Sequence, residues 1–223
     1  MALTVLYEDE ALIFVDKPAR VPSHPLQPGE TGTVANALVA RYPELAAVGD
    51  DPREAGLCHR LDVETSGVLL AARTPEAWKT VREAFDARRV DKRYLALVSG
   101  PLADEGEIEL PLMHSGDHVR PALAGGGREA HSKFRVVARA GLCSLVEVQI
   151  LTGVLHQVRA HLAAVGAPVW NDAQYGGTAD PSLDRFFLHA AKLSLAHPVT
   201  GMTVSVESPL PEELKRTLAA RGL

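Results

Sequence analysis

The chain has 223 residues, of which 46% are hydrophobic, and its formal net charge is -5 at neutral pH. This length and composition suit a folded globular protein and argue against a disordered chain. The sequence opens with neither a basic leader nor a long apolar run, so we expect a cytoplasmic protein without a membrane span. Cys58 and Cys143 form no ligand or disulfide pattern, so we expect neither a structural metal nor a cystine framework.

The overall charge gives no sign of a nucleic-acid partner, because such proteins usually carry a basic excess. A local surface can nevertheless be basic. One cluster of cations consists of Arg88, Arg89, Lys92 and Arg93. Two interpretations stay open for this cluster, a solvated helix end and an RNA-binding surface.

In the first half of the chain, apolar periodicity predicts short elements separated by turns. Strands are expected at residues 3–7 and 11–15, followed by a proline-punctuated extended loop at residues 17–25. Thr33 can cap a helix that ends near Pro43. A buried strand at residues 68–72 is followed by Thr74, which can cap an amphipathic helix, and residues 93–99 return to strand periodicity.

In the second half, a short strand is predicted at residues 106–110, and a Gly-rich mobile loop at residues 114–128. A hairpin follows at residues 132–151, and an apolar stripe predicts a helix within residues 152–166, formed by Leu155, Val158, Leu162 and Val165. A strand pair and a closing helix complete the chain. The pattern predicts one α+β domain over residues 1–223 with mostly hairpin-connected strands.

The stretch HRLDVETSG, residues 59–67, joins a polar loop to the buried strand. If the chain is extended here, the Asp62 carboxylate leaves an apolar wall formed by Leu61 and Val63, and an ionised group there needs a cation or several donors. Gly67 can take a positive φ, so we expect a fixed loop. Asp62 is either a structural ion-pair partner or a catalytic carboxylate.

Arg159 lies on or beside the apolar stripe of the predicted helix in residues 152–166, and a cation there needs a carboxylate. Asp62 is the expected partner. His156 could line the same cleft or be an ordinary hydrogen-bonded polar group. His156 and His161 do not have the helical zinc-motif spacing, so a metal site is not predicted.

The sequence resembles the pseudouridine synthases that modify uridines in bacterial ribosomal and transfer RNA. The resemblance extends over nearly the whole chain, in ordered blocks: VLYEDEALIFVDKPA, HRLDVETSGVLLAAR, KRYLALVSG, TGVLHQVRAHLAAVGAPVWNDAQYG and LHAAKLSLAHPVTG. It implies an α+β fold with a mixed, mainly antiparallel sheet, flanking helices and a central active-site cleft. It also implies no cofactor or metal, and the early start of the blocks predicts that the N-terminal RNA-binding domain of many relatives is absent.

By this resemblance, Asp62 matches the essential aspartate, Tyr94 the active-site tyrosine and Arg159 the arginine that pairs with the aspartate. Judged from its position alone, Tyr94 could instead be a packing residue at the start of a strand. Predicted substrate contacts are Arg60, Thr65, Arg88, Arg89, Lys92, Arg93, His156 and the apolar Leu188. Two residues depart from the family pattern: Val154 replaces an arginine and Asn171 replaces a glycine.

The predicted function is isomerisation of specific uridines to pseudouridine in ribosomal or transfer RNA by a monomeric enzyme, with Asp62 as the catalytic aspartate. An ionised carboxylate can stabilise the positive charge that develops on the sugar when its bond to the base breaks. Two alternatives stay open. One is a catalytically silent RNA-binding protein on the same scaffold, and the other is a nucleoside or glycoside hydrolase that uses Asp62 and Glu64.

Overall fold

The computed structural model describes residues 3–223, and within that range it contains eleven β-strands and four α-helices. The strands are β1 Thr4–Glu8, β2 Leu12–Lys17, β3 Ser66–Ala72, β4 Asp91–Ser99, β5 Glu105–Glu109, β6 Leu112–Ser115, β7 His118–Pro121, β8 His131–Ala140, β9 Cys143–Ile150, β10 Leu188–Ala196 and β11 Thr203–Glu207. The helices are α1 Val34–Arg41, α2 Pro75–Asp86, α3 Gln157–Ala164 and α4 Glu212–Ala219. The predicted α+β class, with mainly antiparallel pairing, is confirmed.

The chain divides into two units. The first consists of the chain up to Val90 together with Ala190–Pro209, and the second of Asp91–His189 together with Leu210–Leu223. The prediction of a single catalytic domain over residues 1–223 stays a prediction.

In the first unit, the strands lie in the order β1, β2, β3 and β10, and β11 pairs with β10. Every residue of β3 is buried, because its apolar run leaves no polar face. Both predicted caps are confirmed. The Thr33 side chain accepts from the Asn36 backbone N–H in a capping box, and the Thr74 side chain accepts from Ala77 N–H.

In the second unit, the strands lie in the order β4, β9, β8 and β5, all antiparallel. Alternation along β4 buries Lys92, Tyr94 and Ala96 and turns Arg93 to the other face. Tyr94 and Ala96 therefore share one buried face, which agrees with the predicted strand periodicity of residues 93–99. On the face of Arg93, the guanidinium forms ion pairs with Asp91 at 2.9 Å and with Glu147 of β9 at 3.1 Å.

Residues 114–128 are not simply a Gly-rich loop, so that prediction is partly wrong. They contain β7 and the end of β6, which form a hairpin closed by a two-residue turn with Gly116 at φ +65°. Leu112 and Val119 are both 1% exposed and pack with Ala130 and Ala160. The apolar residues on either side of the Gly116 turn were the signal for this hairpin.

Helix α3 is shorter than the apolar stripe suggests. It begins at Gln157, because His156 at its N-terminus takes a left-handed conformation with φ 51°. Leu155 therefore precedes the helix, and Val165 is 39% exposed after its end. Val158 and Leu162 are buried, as predicted.

Helix α3 also carries His161, which is fully buried. Its Nε2 lies 3.0 Å from the Leu110 carbonyl oxygen, which can only accept, so Nε2 carries the proton. Nδ1 then accepts from the Ser132 hydroxyl at 2.9 Å. Burial lowers the pKa of His161 below its ordinary value; the nearby His131 charge acts in the same direction, and the hydrogen bond to Leu110 opposes it.

This buried neutral histidine predicts acid sensitivity. Since the folded protein disfavours the imidazolium, His161 contributes stability above its ordinary pKa of 6.5, and that stability is lost as the pH falls below this value. Between about pH 7.5 and pH 5, the wild type should lose up to about 1.4 kcal/mol per pH unit more than His161→Gln in urea unfolding. Parallel losses in the two proteins would contradict the assignment.

Candidate active site

Asp62 begins a β-turn rather than lying in an extended segment. Its backbone carbonyl accepts from the Thr65 N–H at 3.1 Å, and Val63 and Glu64 form the turn. Leu61 is 5% exposed but Val63 is 48% exposed. The predicted apolar wall on both sides of Asp62 is therefore wrong at Val63, because the turn rotates that side chain outward.

A buried lysine holds this turn. Lys17 is 0% exposed. Its ammonium donates to the carbonyls of Pro18, Val21 and Val63 at 3.0, 2.7 and 3.0 Å. An ammonium has three N–H donors, and each has a backbone acceptor here. The ammonium of Lys17 therefore connects the proline-rich loop with the turn of Asp62.

The residue before Asp62 is fixed as well. The Ser23 hydroxyl donates to the Leu61 carbonyl and accepts from the Leu61 N–H, both at 3.0 Å. Backbone bonds therefore constrain the chain immediately before and after Asp62, so its carboxylate extends from a defined backbone position. The expectation of a fixed loop agrees with this geometry.

Gly67 lets the turn enter β3 against a neighbouring backbone. Its φ is +118°, the positive value that was predicted, and a Cβ built on it would lie 2.2 Å from the carbonyl oxygen of Ala190 in β10. That distance is far below van der Waals contact. Two independent constraints, the dihedral angle and the close backbone, therefore require glycine here.

We expect Gly67→Ala to destabilise the protein by roughly 3 kcal/mol or more, because the methyl group must displace a backbone carbonyl and adopt an unfavourable φ. Gly141→Ala is the matched control, since Gly141 has φ +59° but nothing within 4 Å of its Cβ position. The control should lose only about 1 kcal/mol. Equal losses in urea unfolding would show that the contact with Ala190 is unimportant.

The other predicted contacts in the first unit differ in exposure. Arg60, Arg88 and Arg89 are exposed, as cations that reach RNA must be. Thr65 is only 1% exposed, and its hydroxyl has no hydrogen-bond partner among residues 3–223. A buried hydroxyl without a partner is uncommon, and this one can still donate and accept hydrogen bonds.

In the second unit, Arg159 is held by a carboxylate that the sequence did not identify as its partner. Arg159 Nε donates to Asp172 Oδ2 at 2.6 Å and Nη2 donates to Asp172 Oδ1 at 2.9 Å. The two side chains are 6% and 1% exposed, so this is a buried bidentate pair. The need for a carboxylate is confirmed, and the pairing of Arg159 with Asp62 stays a prediction.

Further contacts fix the plane of the guanidinium. Nη2 also donates to Gln174 Oε1 at 2.9 Å. The guanidinium carbon lies 4.8 Å from the centre of the Tyr175 ring and 4.2 Å from the centre of the Phe186 ring. Aromatic faces attract a cation, and the attraction is stronger where water is excluded. Arg159 is therefore a positive charge of fixed orientation.

Tyr175 also connects Arg159 with His156 and with β7. The Tyr175 hydroxyl accepts from the Val119 N–H at 3.0 Å and lies 3.1 Å from His156 Nδ1. The structure thus brings His156 and Arg159 together around one tyrosine. Asp172, Gln174, Tyr175 and Phe186 were missed as site residues, although the polar, turn-rich run WNDAQYGG around the first three was a signal.

Tyr94 is 9% exposed and shares its face of β4 with Lys92. Lys92 is also buried, and its ammonium donates to the Thr152 carbonyl at 3.0 Å. Burial lowers the pKa of Lys92 to about 8. Within the predicted basic cluster, Lys92 is therefore not a surface cation, and Arg93 lies on the opposite face of β4 from Tyr94. Leu188, the first residue of β10, is 3% exposed.

One group of side chains in the second unit has the spacing of cation ligands. It consists of Glu107, Glu109 and His131. Glu107 already accepts from Lys133 and lies 2.8 Å from His131 Nε2. These contacts satisfy the carboxylate without an ion. Separately, within residues 3–223 no helix is both long and apolar enough to cross a membrane.

Comparison with known proteins agrees with the predicted resemblance. Residues 11–164 match the family described as RNA pseudouridylate synthase. A ribosomal large subunit pseudouridine synthase D from Xanthomonas campestris is 38% identical over an alignment of 232 positions, gaps included, which covers 98% of this chain and 69% of the relative. An uncharacterized RNA pseudouridine synthase from Chloroflexus aurantiacus is 41% identical over 205 residues, which cover 91% of this chain and 64% of the relative.

A solved structure gives the same result. Human RNA pseudouridylate synthase domain containing 1 superposes with a TM-score of 0.75 at 26% identity, covering 94% of this chain and 84% of the human one. The family match, the bacterial relatives and this superposition agree with each other and with the ordered sequence blocks. The chain belongs to the RNA pseudouridylate synthase family, whose members are isomerases.

Proposed function

We propose that this enzyme converts a uridine of large-subunit ribosomal RNA to pseudouridine, with Asp62 as the catalytic aspartate and with Tyr94 and Arg159 acting on the same uridine. The choice of ribosomal over transfer RNA is supported by the relative from Xanthomonas campestris, which is a ribosomal large subunit pseudouridine synthase. The expectation of a monomeric, cytoplasmic enzyme accompanies this proposal as a prediction.

The reaction rearranges bonds without net change. The bond from ribose C1′ to uracil N1 breaks, the base turns, and a bond forms from C1′ to C5. The C5 hydrogen leaves as a proton and N1 gains one, so the product has the same mass as the substrate. Cleavage develops positive charge on the sugar, which an ionised carboxylate stabilises or captures.

The observation that carries the proposal is the fixed turn of Asp62 within the family motif. The carbonyls on either side of Asp62 are bound by the Ser23 hydroxyl and the Lys17 ammonium. Catalytic groups act through a defined position, because a displacement of about 1 Å can cost on the order of a hundredfold in rate. The hydrogen bonds on both sides of Asp62 fix the backbone from which the carboxylate extends.

Arg159 and Tyr94 have environments that suit supporting roles. The orientation of Arg159 is set by Asp172 and Gln174, so it presents positive charge without reorganisation during the reaction. We assign it to holding Asp62 ionised. Tyr94 has a mostly buried ring that can stack on the uracil, which must leave the RNA stack at a cost of a few kcal/mol.

Contacts to the RNA backbone are assigned first to the exposed Arg60, Arg88 and Arg89. Phosphate binding by Arg93 would compete with its two ion pairs, and Lys92 is buried. Among the remaining predicted contacts, the spare hydroxyl of Thr65 could bond to a group that enters the site. His156 and Leu188 complete the proposed set.

The test uses purified protein and RNA transcripts that carry tritium at uracil C5. We expect tritium release from a labelled large-subunit ribosomal RNA fragment, no free uracil, and no change in the mass of the same fragment without the label. Transfer RNA serves as the competing substrate. Tritium release from transfer RNA alone would overturn the assignment of the target. Free uracil would indicate a hydrolase, and RNA binding without tritium release would indicate a silent RNA-binding protein.

A further inference from the structure

Hydrogen bonds close the loop between Trp170 and Phe187 at its base and also connect residues within it. At the base, the Trp170 carbonyl accepts from the Phe187 N–H at 2.9 Å. The next residue, Asn171, takes a left-handed conformation with φ 60°. Asparagine tolerates this conformation better than most residues, but glycine adopts it at lower cost.

The amide of Asn171 joins the start of the loop to its return. Nδ2 donates to the carbonyl of Leu183 and, at 3.2 Å, to that of Arg185. Oδ1 accepts from the Asp180 N–H at 2.9 Å. One side chain thus makes hydrogen bonds with three residues that are distant from it along the loop.

The same loop supplies the contacts that orient Arg159. Asp172, Gln174 and Tyr175 lie within four residues after Asn171, and Phe186 follows the segment that Asn171 binds. Separation of the two halves of the loop would move Asp172 and Phe186 apart and would release the guanidinium between them. The three hydrogen bonds of Asn171 oppose that separation.

We infer that Asn171 is a positioning residue for the reaction, which acts by fixing the loop that orients Arg159. This inference rests on the proposed function, because it requires that Arg159 supports catalysis. Asn171 itself touches no reacting group. Its removal should therefore change the rate of the chemical step and leave RNA affinity nearly unchanged.

Asn171→Gly is the sharpest test, because glycine keeps the left-handed backbone and removes only the amide. We expect the single-turnover rate of tritium release to fall roughly tenfold, with the RNA dissociation constant within about twofold of wild type. Asn36→Ala is the control for stability. Asn36 holds the capping box of α1 in the first unit, so this variant loses stability and should keep its rate.

A second background separates positioning from a general structural effect. In Arg159→Lys, which cannot reproduce the bidentate geometry, Asn171→Gly should lower the rate by less than about twofold. An unchanged rate for Asn171→Gly in the wild-type background, or an equal loss in both backgrounds, would overturn the inference while Arg159 keeps its role. Full activity of Arg159→Lys would instead show that the proposed role of Arg159 has failed, and the inference with it.

Discussion

Asp62→Asn is expected to abolish tritium release from C5-labelled uridine in RNA, with a loss of at least about a thousandfold in single-turnover rate. Asparagine has nearly the same shape as aspartate, and the turn is closed through the Asp62 backbone carbonyl, which the substitution leaves in place. The amide cannot stabilise positive charge on the sugar as a carboxylate does. RNA binding should stay within a few-fold of wild type.

Glu64→Gln is the matched control for this variant. Glu64 is a carboxylate in the same turn, two residues after Asp62, and the hydrolase alternative requires it as the second acid. We expect Glu64→Gln to keep most of the activity. A protein in which Asp62→Asn turns over at more than a few per cent of the wild-type rate would exclude Asp62 as the catalytic aspartate. A comparable loss in both variants would favour a two-carboxylate mechanism.

Asp172→Asn is expected to combine the second-largest effect on activity with a large loss of stability. It removes the buried negative charge that binds Arg159 through two hydrogen bonds of 2.6 and 2.9 Å. Deleting one partner of a buried pair costs about 3 to 5 kcal/mol, because the remaining charge is left in a poorly solvated place. The guanidinium also loses the contact that fixes its direction, so the rate should fall at least about tenfold.

Asp104→Asn provides the exposed counterpart in the same unit. Asp104 pairs with Arg139 at 2.9 Å, but its side chain is 92% exposed. Water screens such a pair, so we expect a loss of less than about 1 kcal/mol and an unchanged rate. Urea unfolding and tritium release would be measured for both variants. If Asp172→Asn were as mild as Asp104→Asn, Asp172 would not be the group that balances the buried charge of Arg159.

Asp62 and Arg159 are each held in place by buried groups of their own unit. The first unit fixes Asp62 through backbone bonds and a buried ammonium, whereas the second fixes Arg159 through a buried carboxylate and two rings. The buried charge of Lys17 holds a backbone turn, and the buried charge of Asp172 holds the side chain of Arg159. Such groups are costly to bury, and each is matched by oriented polar or aromatic partners.

Much of the fold followed from local patterns. Thr33 and Thr74 cap the helices that their positions predict, because a cap bonds only to residues within the next turn. Alternation along β4 places Tyr94 on the buried face, because the strand repeat is set by the backbone. The β8–β9 hairpin formed around Gly141 as expected. Local periodicity did not predict the β6–β7 hairpin, because its two buried apolar residues, Leu112 and Val119, stand among polar residues.

Most of the elements, the positive φ of Gly67 and the family motif around Asp62 could be predicted without the folded structure, because they depend on neighbouring residues. In contrast, the contact of Lys17 with the Asp62 turn and the buried pair of Asp172 with Arg159 join residues that lie far apart or in different elements, and the folded chain alone reveals them. The carboxylate that balances a buried charge depends on which loop covers the helix. That loop is closed by the hydrogen bonds of Asn171 to residues far along the chain, which no local pattern specifies.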